Sequence, residues 1–177
     1  MDSTGSQNIR ISPRRSQQIQ PAGKRWRFPD KKFVHQKQVT LKHTNAEGNT
    51  YYDNYLTWHG EAREALLLSH PNVEEFLRDY RHVKMITHSI YQKFVRDSFF
   101  GDVIRIEVTS AKVKHCSFVL VYRFFNAKSG VLLGEGWQKI CFADIPTARL
   151  TTVPPHILDL IEPLQEEVKE SFFSQRC

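Results

Sequence analysis

Thr44-Asn45-Ala46-Glu47-Gly48-Asn49-Thr50-Tyr51-Tyr52-Asp53-Asn54-Tyr55, running straight into residues 56–69, is the stretch on which the fold of this 177-residue chain turns. Asn45, Gly48 and Asn49 all tolerate unusual backbone angles, so the first part reads as a shaped loop. Residues 56–69 read as a helix. Asp53 and Asn54 are N-cap candidates, and Tyr55, Trp58, Ala62, Ala65, Leu66 and Ser69 fall on one stripe at helical spacing, with Glu61, Arg63 and Glu64 on the other side. A polar loop feeding a mostly apolar helix gathers unpaired N–H groups and the positive end of the helix dipole at one place. Such a place can hold an oxyanion.

Outward from there, residues 33–43 alternate as a first strand, with Phe33, Val39 and Leu41 as its apolar positions. Pro71 and Asn72 stop the helix, and residues 73–77 suit a short helical turn. Four more strands are expected at about 83–95, 102–114, 116–126 and 131–143, punctuated by Gly101-Asp102 and Lys128-Ser129-Gly130. Their short connections demand antiparallel pairing. Pro154-Pro155 opens an amphipathic segment through Phe172, with Ile157, Leu158, Leu160, Ile161, Leu164 and Val168 apolar. Pro163 should break it near Glu162. Periodicity alone licenses the α+β class and no more.

The net charge of +6 resembles a nucleic-acid signature until it is divided along the chain. Residues 1–32 carry eight basic and two acidic side chains, whereas residues 33–177 carry 17 of each. The body has no electrostatic reason to bind nucleic acid, and all the excess lies in a tail whose Ser, Gln, Arg, Pro and Gly composition predicts disorder. The expected division is therefore a basic tail, 1–32, and one domain, 33–177. The tail also has the composition of a transit peptide, without a clear amphipathic helix, and could approach an acidic carrier protein or be inert; Lys24-Arg25-Trp26-Arg27-Phe28 is a weak signal for base stacking. Three cysteines, Cys116, Cys141 and Cys177, have no metal-type spacing, and two lie in strand-like runs as buried free thiols, which suits a reducing cytoplasm. No run of the ~18–20 apolar residues that a span requires is present, and no metal or cofactor site is expected.

The pattern T-N-x-x-G-N-x-Y-Y-x-N-Y-x-x-W-x-G-x-x-R-E, residues 44–64, resembles the loop and central helix of hotdog-fold thioesterases of the 4-hydroxybenzoyl-CoA thioesterase type. Asparagine at position 45, where most of that family carries aspartate, is similar to the branch found beside enediyne polyketide synthases. Gly134-Glu135-Gly136-Trp137-Gln138-Lys139-Ile140-Cys141 and Thr152-Val153-Pro154 resemble the last strand and tail of the same branch. The resemblance implies a five-stranded antiparallel sheet wrapped around a long central helix, and subunits that pair edge to edge as a dimer or tetramer with sites at the shared interface. It implies a substrate that is an acyl carrier protein or CoA thioester, here a carrier-bound β-ketoacyl polyene.

Thioester hydrolysis needs a group to place or deprotonate water and donors for the oxyanion. Asn45 can do neither base nor nucleophile chemistry, but it can position water or donate a hydrogen bond. By the resemblance, its partner is Arg63, whose guanidinium suits a developing carboxylate or enolate, with Tyr55 as a hydrogen-bonding companion and Tyr52, Asp53 and Asn54 at the oxyanion site. The bland alternative for Arg63 is a helix-surface pair with a neighbouring glutamate. Glu47, Glu61 and Glu64 are rival carboxylates, and His43 and His59 are lone histidines with no visible partner. Phe118, Tyr122, Phe124 and Trp137 would line an apolar tunnel or simply pack the core. A general acyl-CoA thioesterase for fatty or aromatic substrates and a non-catalytic acyl-binding hotdog domain stay open beside the polyketide enzyme.

Overall fold

The computed structural model describes residues 28–174 apart from 72, 75–77, 79 and 80. Most of the basic tail and Cys177 therefore lie outside the described residues, as does much of the expected turn at 73–77. Strand β1 (Phe33–Gln38) leads through a 3-10 turn, Leu41–His43, to the loop and to helix α1 (Asp53–Leu68). Four long strands follow: β2 (Val83–Phe94), β3 (Val103–Lys114), β4 (Ser117–Asn126) and β5 (Leu132–Asp144). They form one sheet in the order β1-β3-β4-β5-β2, every pair antiparallel. One face wraps α1. This is the hotdog arrangement, in the α+β class.

The core lies between that face and the helix. Trp58, Ala62 and Leu66 on α1 meet Ile104, Ile106 and Val108 of β3, Phe118, Leu120, Tyr122 and Phe124 of β4, and Ile140 and Phe142 of β5, all essentially water-free. Alternation in each strand supplies these positions, because successive side chains point to opposite faces. Helix α2 (Pro155–Ile161) closes one end of the core with Ile157, Leu160 and Ile161, and Pro163 confines the chain beyond it to a 3-10 turn, Glu162–Leu164. From there a strap crosses to the outer sheet face and ends in the short helix α3 (Glu170–Phe173). Ser110 Oγ donates to the Ile161 carbonyl, the Glu166 N–H to the Ser110 carbonyl at 2.9 Å, and Arg123 grips the Glu166 carboxylate with two nitrogens at 2.9 and 3.2 Å.

Three expectations are corrected by this arrangement. The first strand ends at Gln38 instead of continuing to residue 43, because the Thr40 N–H bonds to His43 Nδ1 at 3.0 Å and curls the chain. The central helix starts at Asp53, so Asp53 and Asn54 are its first residues and neither is the cap. The Asn54 amide reaches backwards instead, donating to the carbonyls of His43 at 3.1 Å and Tyr51 at 3.0 Å, a tertiary contact that outweighs the usual capping role. Trp137 lies on the outer face with Ala111, Val119 and Val121 under Val168, Phe172 and Phe173, and does not belong to a tunnel beside the helix.

Candidate active site

The loop that carries Asn45 is a tight turn. Thr44 and Thr50 bridge its stem, the Asn45 N–H donates to the Asn49 carbonyl at 2.9 Å, and Gly48 takes a φ of 87° that other residues rarely adopt. The Asn45 Oδ1 accepts the Glu47 N–H at 2.9 Å and locks the side chain in place, with its amide NH2 unbonded to any described residue. Behind the loop runs a chain of hydroxyls. Tyr55 Oη lies 3.0 Å from Ser98 Oγ, which donates to Thr50 Oγ1 at 2.7 Å, which donates to the Ser98 carbonyl at 3.1 Å. With the Ser98 proton committed to Thr50, the Tyr55 hydroxyl donates to Ser98. Burial holds the phenol above its ordinary pKa, so it stays protonated. Tyr55 therefore ties the loop to the helix.

Tyr52, Asp53 and Asn54 stand at the head of α1, which the stem of the Asn45 loop meets through the His43 carbonyl. The N–H groups of Asn54 and Tyr55 already donate to the Tyr51 and Tyr52 carbonyls at 3.1 and 3.2 Å, which leaves those of Tyr52 and Asp53 unbonded to any described residue at the positive end of the helix dipole. The exposed rings of Tyr51 and Tyr52 flank this head with centroids 4.6 Å apart. Arg63 lies ten residues beyond Asp53, which is about 15 Å along the helix axis. The two groups are not in contact within one chain.

Arg63 is half-buried, with one guanidinium nitrogen donating to Thr87 Oγ1 of β2 at 2.9 Å and its Nε buried without a hydrogen-bond partner among the described residues. Among the described residues no carboxylate pairs with it. The surface pair with a neighbouring glutamate does not form, because Glu61 bonds Lys37 of β1 and Glu64 is exposed. Glu47 is also exposed, at the tip of the loop.

Sequence reasoning left His59 without a partner, and the fold supplies several. His59 is fully buried one turn before Arg63, stacked on Tyr122 with centroids 4.0 Å apart, and its Nε2 lies 2.8 Å from Gln92 Oε1. Because Gln92 Nε2 donates to the Lys93 carbonyl at 3.0 Å, its Oε1 is the atom that faces the ring. His59 is thus the Nε2–H tautomer, and Nδ1 is a bare, buried acceptor. Tyr122 in turn donates to Gln138 Oε1 at 3.0 Å. The signal that could have found this polar seam is Gly136, whose missing side chain leaves the room that Gln92 and His59 fill. His43 is the other flanking histidine; its Nδ1 accepts the Thr40 N–H, its ring meets Trp58 edge-on at 5.5 Å, and burial lowers its pKa.

Burial pushes the His59 pKa from 6.5 down to about 4, the bond to Gln92 opposing and Arg63 assisting. Above pH 6.5 the ring is neutral folded and unfolded and makes no difference. Between pH 6.5 and 4 the unfolded chain binds the proton that the folded chain refuses, so stability falls by up to about 1.4 kcal/mol per pH unit. Urea unfolding at pH 7, 6 and 5 should show this loss, and His59→Gln should flatten the slope. An unchanged slope in the variant would mean that His59 is not held neutral.

No three His, Cys, Asp or Glu side chains among the described residues are placed to hold a metal ion, and no helix among them is long and apolar enough to cross a membrane. No curated protein sequence matches the chain. Solved structures match its fold. They include the 1,4-dihydroxy-2-naphthoyl-CoA thioesterase Slr0204 from Synechocystis, 19% identical with a TM-score of 0.67 over 73% of this chain and 95% of that one. The dynemicin thioesterase, studied for its polyene binding, is 22% identical with a TM-score of 0.70 over 77% of this chain and 99% of that one. The gentisyl-coenzyme A thioesterase BH1999 is 22% identical with a TM-score of 0.62 over 71% and 98%. The sequence profile of the Thioesterase-like superfamily matches residues 39–161, which cover the loop, α1, all of β2 to β5 and α2, and the chain belongs to that superfamily.

Proposed function

We propose that this protein hydrolyses the thioester of a β-ketoacyl chain, a conjugated polyene carried by an acyl carrier protein in enediyne-type biosynthesis. The observation that supports this reading is Arg63, a guanidinium beneath the helix with a buried, unpaired Nε–H and no described carboxylate to neutralise it. A fixed cation of this kind suits the enolate or carboxylate character of a β-keto acyl group. Water adds to the thioester carbonyl carbon, the oxyanion takes N–H bonds at the head of α1, and the C–S bond breaks as the thiol leaves with a proton. The β-keto acid can then lose carbon dioxide to leave a methyl ketone. The similarity to the dynemicin thioesterase favours a polyene, and the two CoA thioesterases favour a general acyl-CoA substrate as the second reading. Asn45 in place of a loop carboxylate keeps a third, a non-catalytic acyl-binding domain.

The separation of Asn45 from Arg63 argues for a site shared between two copies. β2 is a 12-residue edge strand whose outer side has no strand partner among the described residues, and Ile90, Phe94, Val95, Phe99 and Phe100 lie exposed along it and just beyond. Arg63 reaches towards that same edge through Thr87. Antiparallel pairing of two β2 strands would run two α1 helices in opposite directions and bring the Asn45 loop of one copy to the Arg63 of the other. Mass spectrometry of products from a β-ketoacyl thioester offered on a carrier protein and on CoA tests the whole reading. Free acid or methyl ketone, released faster from carrier protein, is expected; a thioester left intact on both carriers would sink it.

A further inference from the structure

On the sheet face away from α1, beside the strap, is a cavity of about 200 Å³ floored by Val119 and Trp137 and walled by Phe173. Lys112, Lys114 and Lys139 surround it. Residues 33–177 are balanced at 17 basic and 17 acidic side chains, so three lysines at one cavity are a local concentration rather than the general charge. The described carboxylate that pairs with any of them is Glu170, 2.8 Å from Lys112 Nζ and itself 82% exposed.

The backbone is bent to put one of these cations there. Ala111 is buried on this face, so a regular pleat would send Lys112 to the other one. A break in register between Ala111 and Lys114 and a φ of 49° at Lys112 turn it back, and Nζ lies 3.8 Å over the Phe173 ring. A left-handed lysine is strained, and strain of this kind collects at ligand clamps. Trp137 is equally fixed, stacked on Tyr91 at 6.1 Å and met edge-on by Phe173 at 6.1 Å.

We propose that this cavity binds a nucleoside phosphate. A flat, apolar floor with a rigid indole suits a base, and three lysines against one exposed carboxylate match a doubly charged phosphate better than a single carboxylate. At about 200 Å³ the cavity takes a base alone, with the sugar and phosphate outside it towards the lysines, and is small for a long acyl chain. The ligand could be a free mononucleotide or the nucleotide end of a CoA thioester, which share this chemistry. The cavity faces away from α1, so its occupant does not compete with Arg63 in the same chain.

Calorimetric titration of the full chain with AMP, adenosine 3′,5′-bisphosphate, adenosine and inorganic phosphate tests the site. At least one of the two nucleotides should bind, more weakly at high salt, and adenosine and phosphate each far more weakly than that nucleotide. Lys139→Glu and Lys114→Glu should each weaken binding by about tenfold or more, with Lys139→Gln as the milder variant if a reversed charge disturbs the strand. Tighter AMP would identify a free mononucleotide, and tighter bisphosphate the nucleotide of CoA. Failure of both nucleotides to bind, equal binding by wild type and lysine variants, or phosphate binding as tightly as the nucleotide would overturn the proposal.

Discussion

Arg63→Ala is expected to lower kcat/KM for a β-ketoacyl thioester by about 10²–10³-fold, the size seen when a fixed charge-stabilising donor is removed from a reaction centre. The fold should survive. Arg63 makes one hydrogen bond, to an exposed threonine, and no described ion pair, so its removal should cost only about 1 kcal/mol. Arg63→Lys keeps the charge but loses the planar donors and should recover part of the rate. Asn45→Ala should also be impaired, through the placement of water or substrate. If the site is shared between copies, refolding Asn45→Ala together with Arg63→Ala should restore roughly a quarter of wild-type activity, because half of the random pairs then contain one intact site of two. Full activity in Arg63→Ala would remove the guanidinium from the mechanism, and two dead variants that stay dead when mixed would place both residues in one chain's site.

The largest stability effect is expected at Gly136, on β5 beneath His59. A Cβ there would meet the Tyr91 carbonyl oxygen of β2 at 2.3 Å, Gln92 Oε1 at 2.7 Å and His59 Cε1 at 2.9 Å. The first is backbone of a paired strand, which cannot swing aside, and the other two are the hydrogen-bonded partners of the buried seam. Gly136→Ala should therefore destabilise by about 3 kcal/mol, as overpacking against a rigid neighbour does. Gly130 makes the contrast. Its φ of 71° strains an alanine, but nothing lies within 4 Å, so Gly130→Ala should cost only about 1 kcal/mol. Urea unfolding read by far-UV circular dichroism measures both, with the midpoint falling and the slope unchanged. Equal effects at the two glycines would mean that backbone conformation, not the space beneath His59, governs Gly136.

The elements themselves were legible in the chain because their causes are local. Turn residues such as Gly101-Asp102 and Lys128-Ser129-Gly130 helped bound four strands to within a residue or two of each end, Pro163 stopped the C-terminal helix near Glu162, and the Tyr55, Trp58, Ala62 and Leu66 stripe marked the buried side of α1. The motif from Thr44 to Glu64 brought the hotdog topology, which periodicity could not. What the chain alone could not supply depends on distances between residues far apart in sequence. The start of α1 was misplaced because Asn54 answers to the carbonyl of His43, and Trp137 was misassigned because the face a strand residue takes is decided by what covers it, here Phe173. His59 looked partnerless until Gln92, 33 positions on, came within 2.8 Å across the space left by Gly136. Sequence thus determined which segments are helix and strand, and it named the residues proposed to carry the chemistry. Tertiary structure alone decided that Arg63 goes without a described carboxylate and that His59 is kept neutral, because burial and pairing are properties of the packed sheet and not of any one segment.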